Sequence, residues 1–491
     1  MRVLKNYIGG EWRDSSGARV KDLNPADTSE VLAEAPSSTA KEAADACEAA
    51  GKAFEGWRGT PAPKRGQILY KVQRRMEERR EELAEALTRE EGKTIAESRG
   101  EVQRAINVIE FFAGEARRIT GETIPSELPH NFCYTVKQPV GPVGIITPWN
   151  VPVAIPVWKM APALVSGNTV VFKPATLTPL TAALIVEMFG ESGLPPGVLN
   201  LVYGGGREVG DTIVRHPAIQ AVSFTGSNEV GVGLYGAAAA RGIKCQCEMG
   251  GKNPIVILGD ADLPLAVEST VQGAFGSTGQ RCTATSRAVV VDSIADEFLD
   301  RLQARASSLV VGNGMDPKTN LGPSVDERQL ETVMSYISIG KNEGARLVAG
   351  GARMKEDGRD RGYFVAPTIF DGVDPSMRIA QEEIFGPVLS LIRAKDAGTA
   401  LSIANGVKFG LSASIYTSDV ASMFRFVDKL EAGIVHVNSP TVGGEAHIPF
   451  GGMKATGVGL REMGRVAIDF YTELKVVYVD YTGGKRSGYL Y

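Results

Sequence analysis

The chain has 491 residues, 43% of them hydrophobic and 22% charged, and 53 basic against 57 acidic side chains leave a formal charge of −4. That length exceeds what one hydrophobic core usually serves, so roughly two or three structural units are expected. No block of one charge sign gathers at either end, which removes the electrostatic footprint of nucleic-acid binding, and 57 glycines without a G-X-Y period indicate tight turns and not a fibre.

The opening segment "MRVLKNYIGGEW" lacks the apolar run of a secretory signal, and a cytoplasmic location is expected. From Thr39 to about Phe54, and again from Lys64 to about Ile119, apolar residues recur at helical spacing among charges. The run "RRMEERREEL" reads as the solvated face of such a helix with i, i+4 pairs. "GETIPSELPHNFCYTVKQPV" then loses the helical period and reads as a strand excursion that needs another surface to cover it, so pairing with a second subunit is expected. The apolar stretch beginning "VGIITPWNVPVAIPVWK" is broken by Asn150, Lys159 and prolines 148, 152, 156 and 162, which argues against a membrane span.

From residue 141 short β-branched runs alternate with helical windows, through "TVVFKP", "AVSFTGS" and "IKCQCEMGG". Such alternation predicts a parallel, doubly wound sheet whose ligands bind at the carboxyl ends of the strands. A second alternating α/β region starts near "NPIVILGDADL" and runs to "AGIVHVN", and "DFYTELKVVYVDY" ends in an apolar strand.

Five cysteines, at 47, 133, 245, 247 and 282, lack framework spacing and fit a reducing compartment. Cys245 and Cys247 share one strand face, and histidines 130, 216, 436 and 447 add no ligand spacing, so no metal is expected. "FTGSNEVG" follows a strand and opens a helix; Gly226, Ser227 and Gly231 suit a phosphate there, or simply cap a strand-helix turn. Lys173 ends an apolar strand, where a cation meets ribose or phosphate oxygens, or else lies on the surface. Cys282 in "GQRCTATSR" is a nucleophile or a small buried hydrophobe, and Glu248 a base in a cleft, on spacing alone.

Taken together, "TPWNVP", "FKPAT", "FTGS", "EMGGKNP", "GQRC", "EEIFGPV" and "PFGGMKATGVG" resemble the aldehyde dehydrogenase superfamily in order and spacing over nearly the whole chain. The resemblance implies an α/β fold with a Rossmann-type cofactor domain (1–119 and 142–249) and an α/β catalytic domain (250–449). It adds a small β oligomerisation arm (120–141 and 470–491) and a return segment (450–469), in a homodimer or homotetramer. It also implies NAD(P)-dependent oxidation of an aldehyde to a carboxylate: Cys282 attacks, Asn150 and the Cys282 N–H hold the oxyanion, and Glu248 activates water.

By the same resemblance Lys173, with Ala175 and Thr176 beside it, and Glu383, with Phe385, serve the cofactor riboses. Gly226, Ser227 and Gly231 serve the pyrophosphate, and Pro148 and Trp149 wall the cofactor. Trp158, Arg281, Thr283 and Phe450 belong to the substrate pocket, and Gly443 and Gly444 leave its loop open. NAD-preferring relatives often carry a glutamate where Thr176 stands, so NADP is expected to be accepted, beside NAD or in preference to it. The segments around Cys282, Gly226 and Glu248 are most similar to bacterial α-ketoglutaric semialdehyde (2,5-dioxopentanoate) dehydrogenases. Succinic semialdehyde, another aliphatic or aromatic aldehyde, or a non-catalytic binding protein on the same fold are the alternatives.

Overall fold

A computed structural model describes residues 1–484; the last part of the predicted arm, 485–491, lies outside the described residues. Two large sheets organise the chain. The first has eight strands, of which five run parallel in the spatial order Lys244–Glu248, Ala221–Thr225, Val143–Ile146, Val170–Lys173 and Leu199–Leu201. The chain steps outward from Val143–Ile146 in one direction and then returns to build the other side. A topological switch therefore falls between Val143–Ile146 and Ala221–Thr225, and their diverging loops open a crevice at the carboxyl ends. Helices cover both faces of these strands, which explains why Val143–Ile146 and Val170–Lys173 are apolar runs buried throughout and do not alternate. Short antiparallel strands finish the edges: Asn6–Ile8 with Glu11–Arg13 on one side and Gly457–Val458 on the other.

The second sheet has seven strands in the order Arg346–Ala349, Thr368–Asp371, Val388–Ala394, Thr285–Val291, Asn253–Ile257, Ser412–Tyr416 and Ile434–Val437. Only Arg346–Ala349 runs antiparallel. The helix Leu263–Phe275 descends from Asn253–Ile257 and delivers the chain to the segment before Thr285–Val291, where Cys282 lies. The helix Ile95–Glu115, started by a reciprocal cap between Thr94 and Glu97, packs on the helix Ala154–Val165, every residue of which is buried. The start of this second helix is held by Glu101, which accepts from the Val153 and Ala154 amides.

A separate three-stranded sheet joins Thr472–Asp480, Asn131–Pro139 and Thr123–Ile124, with Thr472 opposite Pro139 and Asp480 opposite Asn131. Leu474, Val476 and Tyr478 alternate along one face of it and are 61%, 50% and 72% exposed. Among the described residues no helix is long and apolar enough to cross a membrane.

Candidate active site

The segment that presents Cys282 is bent by three successive residues in the left-handed region: Ser277 (φ 47°), Thr278 (φ 58°) and Gly279 (φ 67°). Two of them carry side chains, and such a conformation persists only where the surroundings dictate it. The surroundings do so from both halves of the molecule. Ser277 N–H donates to Glu97 Oε1 (2.6 Å), Thr278 Oγ1 to the Gly322 carbonyl (3.1 Å), and Val325 N–H to Gln280 Oε1 (3.0 Å). The Cys282 carbonyl is gripped by Asn253 Nδ2 at 2.8 Å, and a Cβ at Gly251 would lie 2.7 Å from that same carbonyl.

Cys282 opens into a cleft of about 230 Å³ at the switch point, where Pro148, Trp149, Asn150, Gly226 and Ser227 meet Glu383 and Phe385. Trp149 and Phe385 come from opposite halves and pack edge-on, ring centroids 5.4 Å apart. Asn150 is buried, and its Nδ2 donates to the Gln280 carbonyl (2.9 Å), two residues from the thiol. Glu383 Oε1 accepts from Gly251 N–H (3.0 Å); burial lifts its carboxyl to about 7 against that bond and the charge of Lys252. Any side chain at Gly250 would strike Glu383, a Cβ there standing 2.0 Å from Oε2.

The other predicted residues do not line this cleft. Lys173 ends its strand buried, with its amine donating to the Pro174 carbonyl (2.9 Å), and burial brings it down to about 8. Ala175 is half-buried and Thr176 exposed in the turn that follows. A Cβ at Gly231 would fall 2.5 Å from Met249 Sδ, so the helix Asn228–Ala240 packs close to its strand. Glu248 is buried and accepts from Gly452 N–H (3.3 Å), beside Gly451 and Gly457. Burial first, and the nearby Glu462 charge second, hold its carboxyl well above the usual range.

Trp158 and Phe450 are core residues with ring centroids 5.5 Å apart, and Trp158 Nε1 donates to Glu462 Oε2 (2.7 Å). The carbonyl of buried Thr283 accepts from Thr441 Oγ1 (2.7 Å). Arg281 opens the turn closed by Ala284 N–H on its carbonyl and pairs with Glu97 at 3.2 Å; it lines neither the cleft nor the larger cavity described next.

A cavity of about 700 Å³ lies between the helix Ile95–Glu115 and the loop around Gly444. Arg104 lines it, a residue that the sequence motifs do not single out. Its guanidinium carbon stands 5.0 Å over the Trp158 ring, Nη2 reaches Met463 Sδ (3.5 Å), Nε has no partner, and no carboxylate pairs with it among the described residues. A Cβ at Gly444 would sit 2.7 Å from Nη2, so the loop keeps this charge accessible only as glycine. The signal in the sequence was spacing: 97, 101 and 104 fall on one helical face, beside the apolar stripe.

The donors about the cleft fit a dinucleotide. Ser227 caps the helix Asn228–Ala240 without a side-chain bond of its own, leaving the first amides free for an anion. Thr225 Oγ1 is buried beneath it with no partner, and a Cβ at Gly226 would lie 2.5 Å from the Phe224 ring. Lys173 and Glu383 supply a donor and an acceptor for hydroxyl groups.

Burial, then the Glu383 and Glu248 carboxylates, push the Cys282 thiol up to about 12, and Arg104 opposes them. The thiol is therefore protonated at neutral pH, and its reactive fraction grows with pH. Alkylation of Cys282 by iodoacetamide in the cofactor-free protein, followed by peptide mass, is expected to rise about tenfold per pH unit from 7 to 10. A plateau near 8.5, the value of an ordinary thiol, would contradict this environment.

The chain matches the model of the aldehyde dehydrogenase family over residues 12–477. It is 48% identical over 475 residues to the α-ketoglutaric semialdehyde dehydrogenase of Bacillus subtilis, covering 96% of this chain and 97% of that one. It is 46% identical over 480 residues to the 2,5-dioxopentanoate dehydrogenase of Saccharolobus solfataricus, covering 97% and 99%. Among solved structures it superposes on betaine aldehyde dehydrogenase of Staphylococcus aureus in complex with NAD+ with a TM-score of 0.96 at 36% identity, covering 99% of this chain and 96% of that chain. A bent thiol segment facing a dinucleotide-shaped cleft, with these likenesses along the full length, makes the chain a member of the aldehyde dehydrogenase family.

Proposed function

We propose that this enzyme oxidises a short aldehyde bearing a distal carboxylate, with α-ketoglutaric semialdehyde as the substrate. The observation that carries the reading is Arg104, an uncompensated guanidinium set between the larger cavity and the thiol. A carboxylate entering there replaces water with a charge-assisted bond, and the aldehyde end is carried toward Cys282. The names of the relatives in Bacillus and Saccharolobus support the same substrate.

In the chemistry we propose, the Cys282 thiol gives up its proton to water, the thiolate adds to the aldehyde carbon and the carbonyl oxygen becomes an oxyanion, whose collapse expels the hydride and leaves a Cys282 thioester. The Asn150 amide, released from Gln280, and the Cys282 N–H hold that charge. A nicotinamide dinucleotide, when bound, supplies the hydride acceptor. Gly226, Ser227 and the amides after them hold its pyrophosphate, Lys173 and Glu383 its riboses, and Trp149, Pro148 and Phe385 exclude water. Glu248, ionised as it swings from the buried Gly452 amide toward solvent, takes a proton from the water that cleaves the Cys282 thioester, and the carboxylate product leaves. Thr176 places a neutral hydroxyl where a carboxylate would repel a 2′-phosphate, which supports use of NADP as well as NAD.

The eight-stranded sheet with its helices serves as the cofactor domain, the seven-stranded sheet as the thiol-bearing domain, and the three-stranded sheet as an oligomerisation arm in a cytoplasmic homodimer or homotetramer. Supporting the last point, the apolar face of Leu474, Val476 and Tyr478 is exposed in the single chain.

Three measurements test this reading. In a kinetic matrix of aldehydes against both cofactors, R104M is expected to lower kcat/KM about 10- to 100-fold for α-ketoglutaric and succinic semialdehydes and little for propanal. Equal losses on all three would remove the carboxylate role, and a wild-type NADP-to-NAD ratio of kcat/KM far below one would remove the cofactor expectation. E248Q is expected to give one burst of reduced cofactor and then turn over about 100-fold or more slowly; sustained turnover without added thiol would overturn the assignment of Glu248. Light scattering should find at least a dimer for the native protein and a smaller species for a variant carrying L474D and Y478D, whereas a native monomer contradicts the arm.

A further inference from the structure

The helix cap before Ile95 carries a lysine that the chemistry above leaves unused. Lys93 is 3% exposed, and its backbone is locked between the two halves: a Cβ at Gly314 would lie 2.3 Å from the Lys93 carbonyl, and one at Gly92 would lie 2.7 Å from Pro323 Cγ. The loop around Pro323 is the one that takes the Thr278 hydroxyl and the Gln280 amide, so Lys93 and the thiol segment share an anchor. Its side chain runs the opposite way. Lys93 Nζ donates to the Asn150 carbonyl at 2.7 Å and to Glu101 Oε2 at 2.6 Å. Glu101 Oε1 in turn accepts from Val153 N–H (2.8 Å) and Ala154 N–H (3.2 Å), the start of the buried helix that follows Asn150.

Three buried charged groups gather here, since Glu91 Oε2 stands 3.7 Å from the same ammonium. Burial lifts Glu91 to about 8, so at neutral pH it is mostly uncharged and Lys93 with Glu101 forms a matched pair. A matched pair inside the protein costs desolvation and is not needed to hold a helix that packs on all sides. What it does fix is the direction of one peptide. Residue 150 is pulled at its carbonyl by Lys93, while residues 153 and 154 are pulled at their amides by Glu101, so the turn 150–154 is clamped by a single ion pair.

We infer that Lys93, held by Glu101, is a positioning residue for the oxyanion site: by gripping the Asn150 carbonyl it aims the Asn150 amide at the segment that carries Cys282. The inference rests on the reading of Asn150 as an oxyanion donor. Lys93 touches neither the thiol nor the cleft, and so acts through Asn150 alone.

A double-mutant cycle separates this role from general support of the fold. K93M, N150A and the double variant are assayed as full-length enzyme with NAD and the best aldehyde of the kinetic matrix, reading the burst rate of cofactor reduction and the Kd for NAD. N150A is expected to slow the burst about 100-fold or more, as loss of one oxyanion donor does. K93M is expected to slow it about tenfold or more in the native background and by less than twofold in the N150A background, with the Kd for NAD unchanged. K93Q, which keeps an N–H for the Asn150 carbonyl, should recover part of the rate. A K93M loss that adds in full to that of N150A overturns the inference while leaving Asn150 its role; an N150A enzyme with a native burst overturns the Asn150 reading and Lys93 with it. Should K93M not fold, E101Q takes its place in the cycle, with the same criterion of additivity.

Discussion

Charge buried at the seam between the two sheets is the constraint on which the rest of the site depends. Glu97 closes the cap of the helix Ile95–Glu115 with one carboxylate oxygen and holds Ser277 N–H and Arg281 with the other. Four residues on, Glu101 ties the same helix to the start of Ala154–Val165. Glu97 is half-buried, but Glu101 cannot be desolvated unless Lys93 and the Val153 and Ala154 amides are already in place, because removing one member of a buried pair costs about 3–5 kcal/mol. The seam is thus specified by polar groups that are satisfied in one arrangement, and the apolar core of the helices supplies the bulk of the attraction.

The cleft inherits its shape from this arrangement. Glycines stand at the points where the backbone must approach something closely: Gly250 against Glu383, Gly251 against the Cys282 carbonyl, Gly451 against Glu248. Gly250 and Gly451 also set the electrostatics, because each lets a carboxyl group sit in a dry pocket. The outcome is a thiol and two carboxyl groups all shifted toward their protonated forms. Such a set is quiet until something changes the local field, and the cation that opposes the shift of Cys282 is Arg104 on the far side.

Much of this architecture was legible in the sequence because the relevant signals are local. Parallel strands buried on both faces leave continuous apolar runs, and the tight strand-helix turn at Gly226 leaves a glycine at a fixed place. Pro148, Trp149, Asn150, Gly226, Ser227, Cys282, Glu383 and Phe385 do meet at one cleft. The charges of the helix Ile95–Glu115 were not legible, since Glu97, Glu101 and Arg104 look like any solvated face until the partners that bury them, Ser277, Val153 and Trp158, arrive from far along the chain. The short strands Asn6–Ile8 and Glu11–Arg13 escaped for a related reason: three residues carry no period, and the sheet edge they join is built two hundred residues later.

The left-handed run Ser277–Gly279 bears on the order in which the molecule is made. Ser277 and Thr278 each cost about 1–3 kcal/mol in that conformation, and the groups that offset it, Glu97 and Gly322, belong to segments that come together only when the two halves dock. An unfinished chain therefore has no reason to form the bend, and its Cys282 is an ordinary thiol on a flexible loop. Cys282 therefore takes on its buried, proton-holding setting only with the docking of the two halves, and the bend and the raised thiol are properties of the assembled fold.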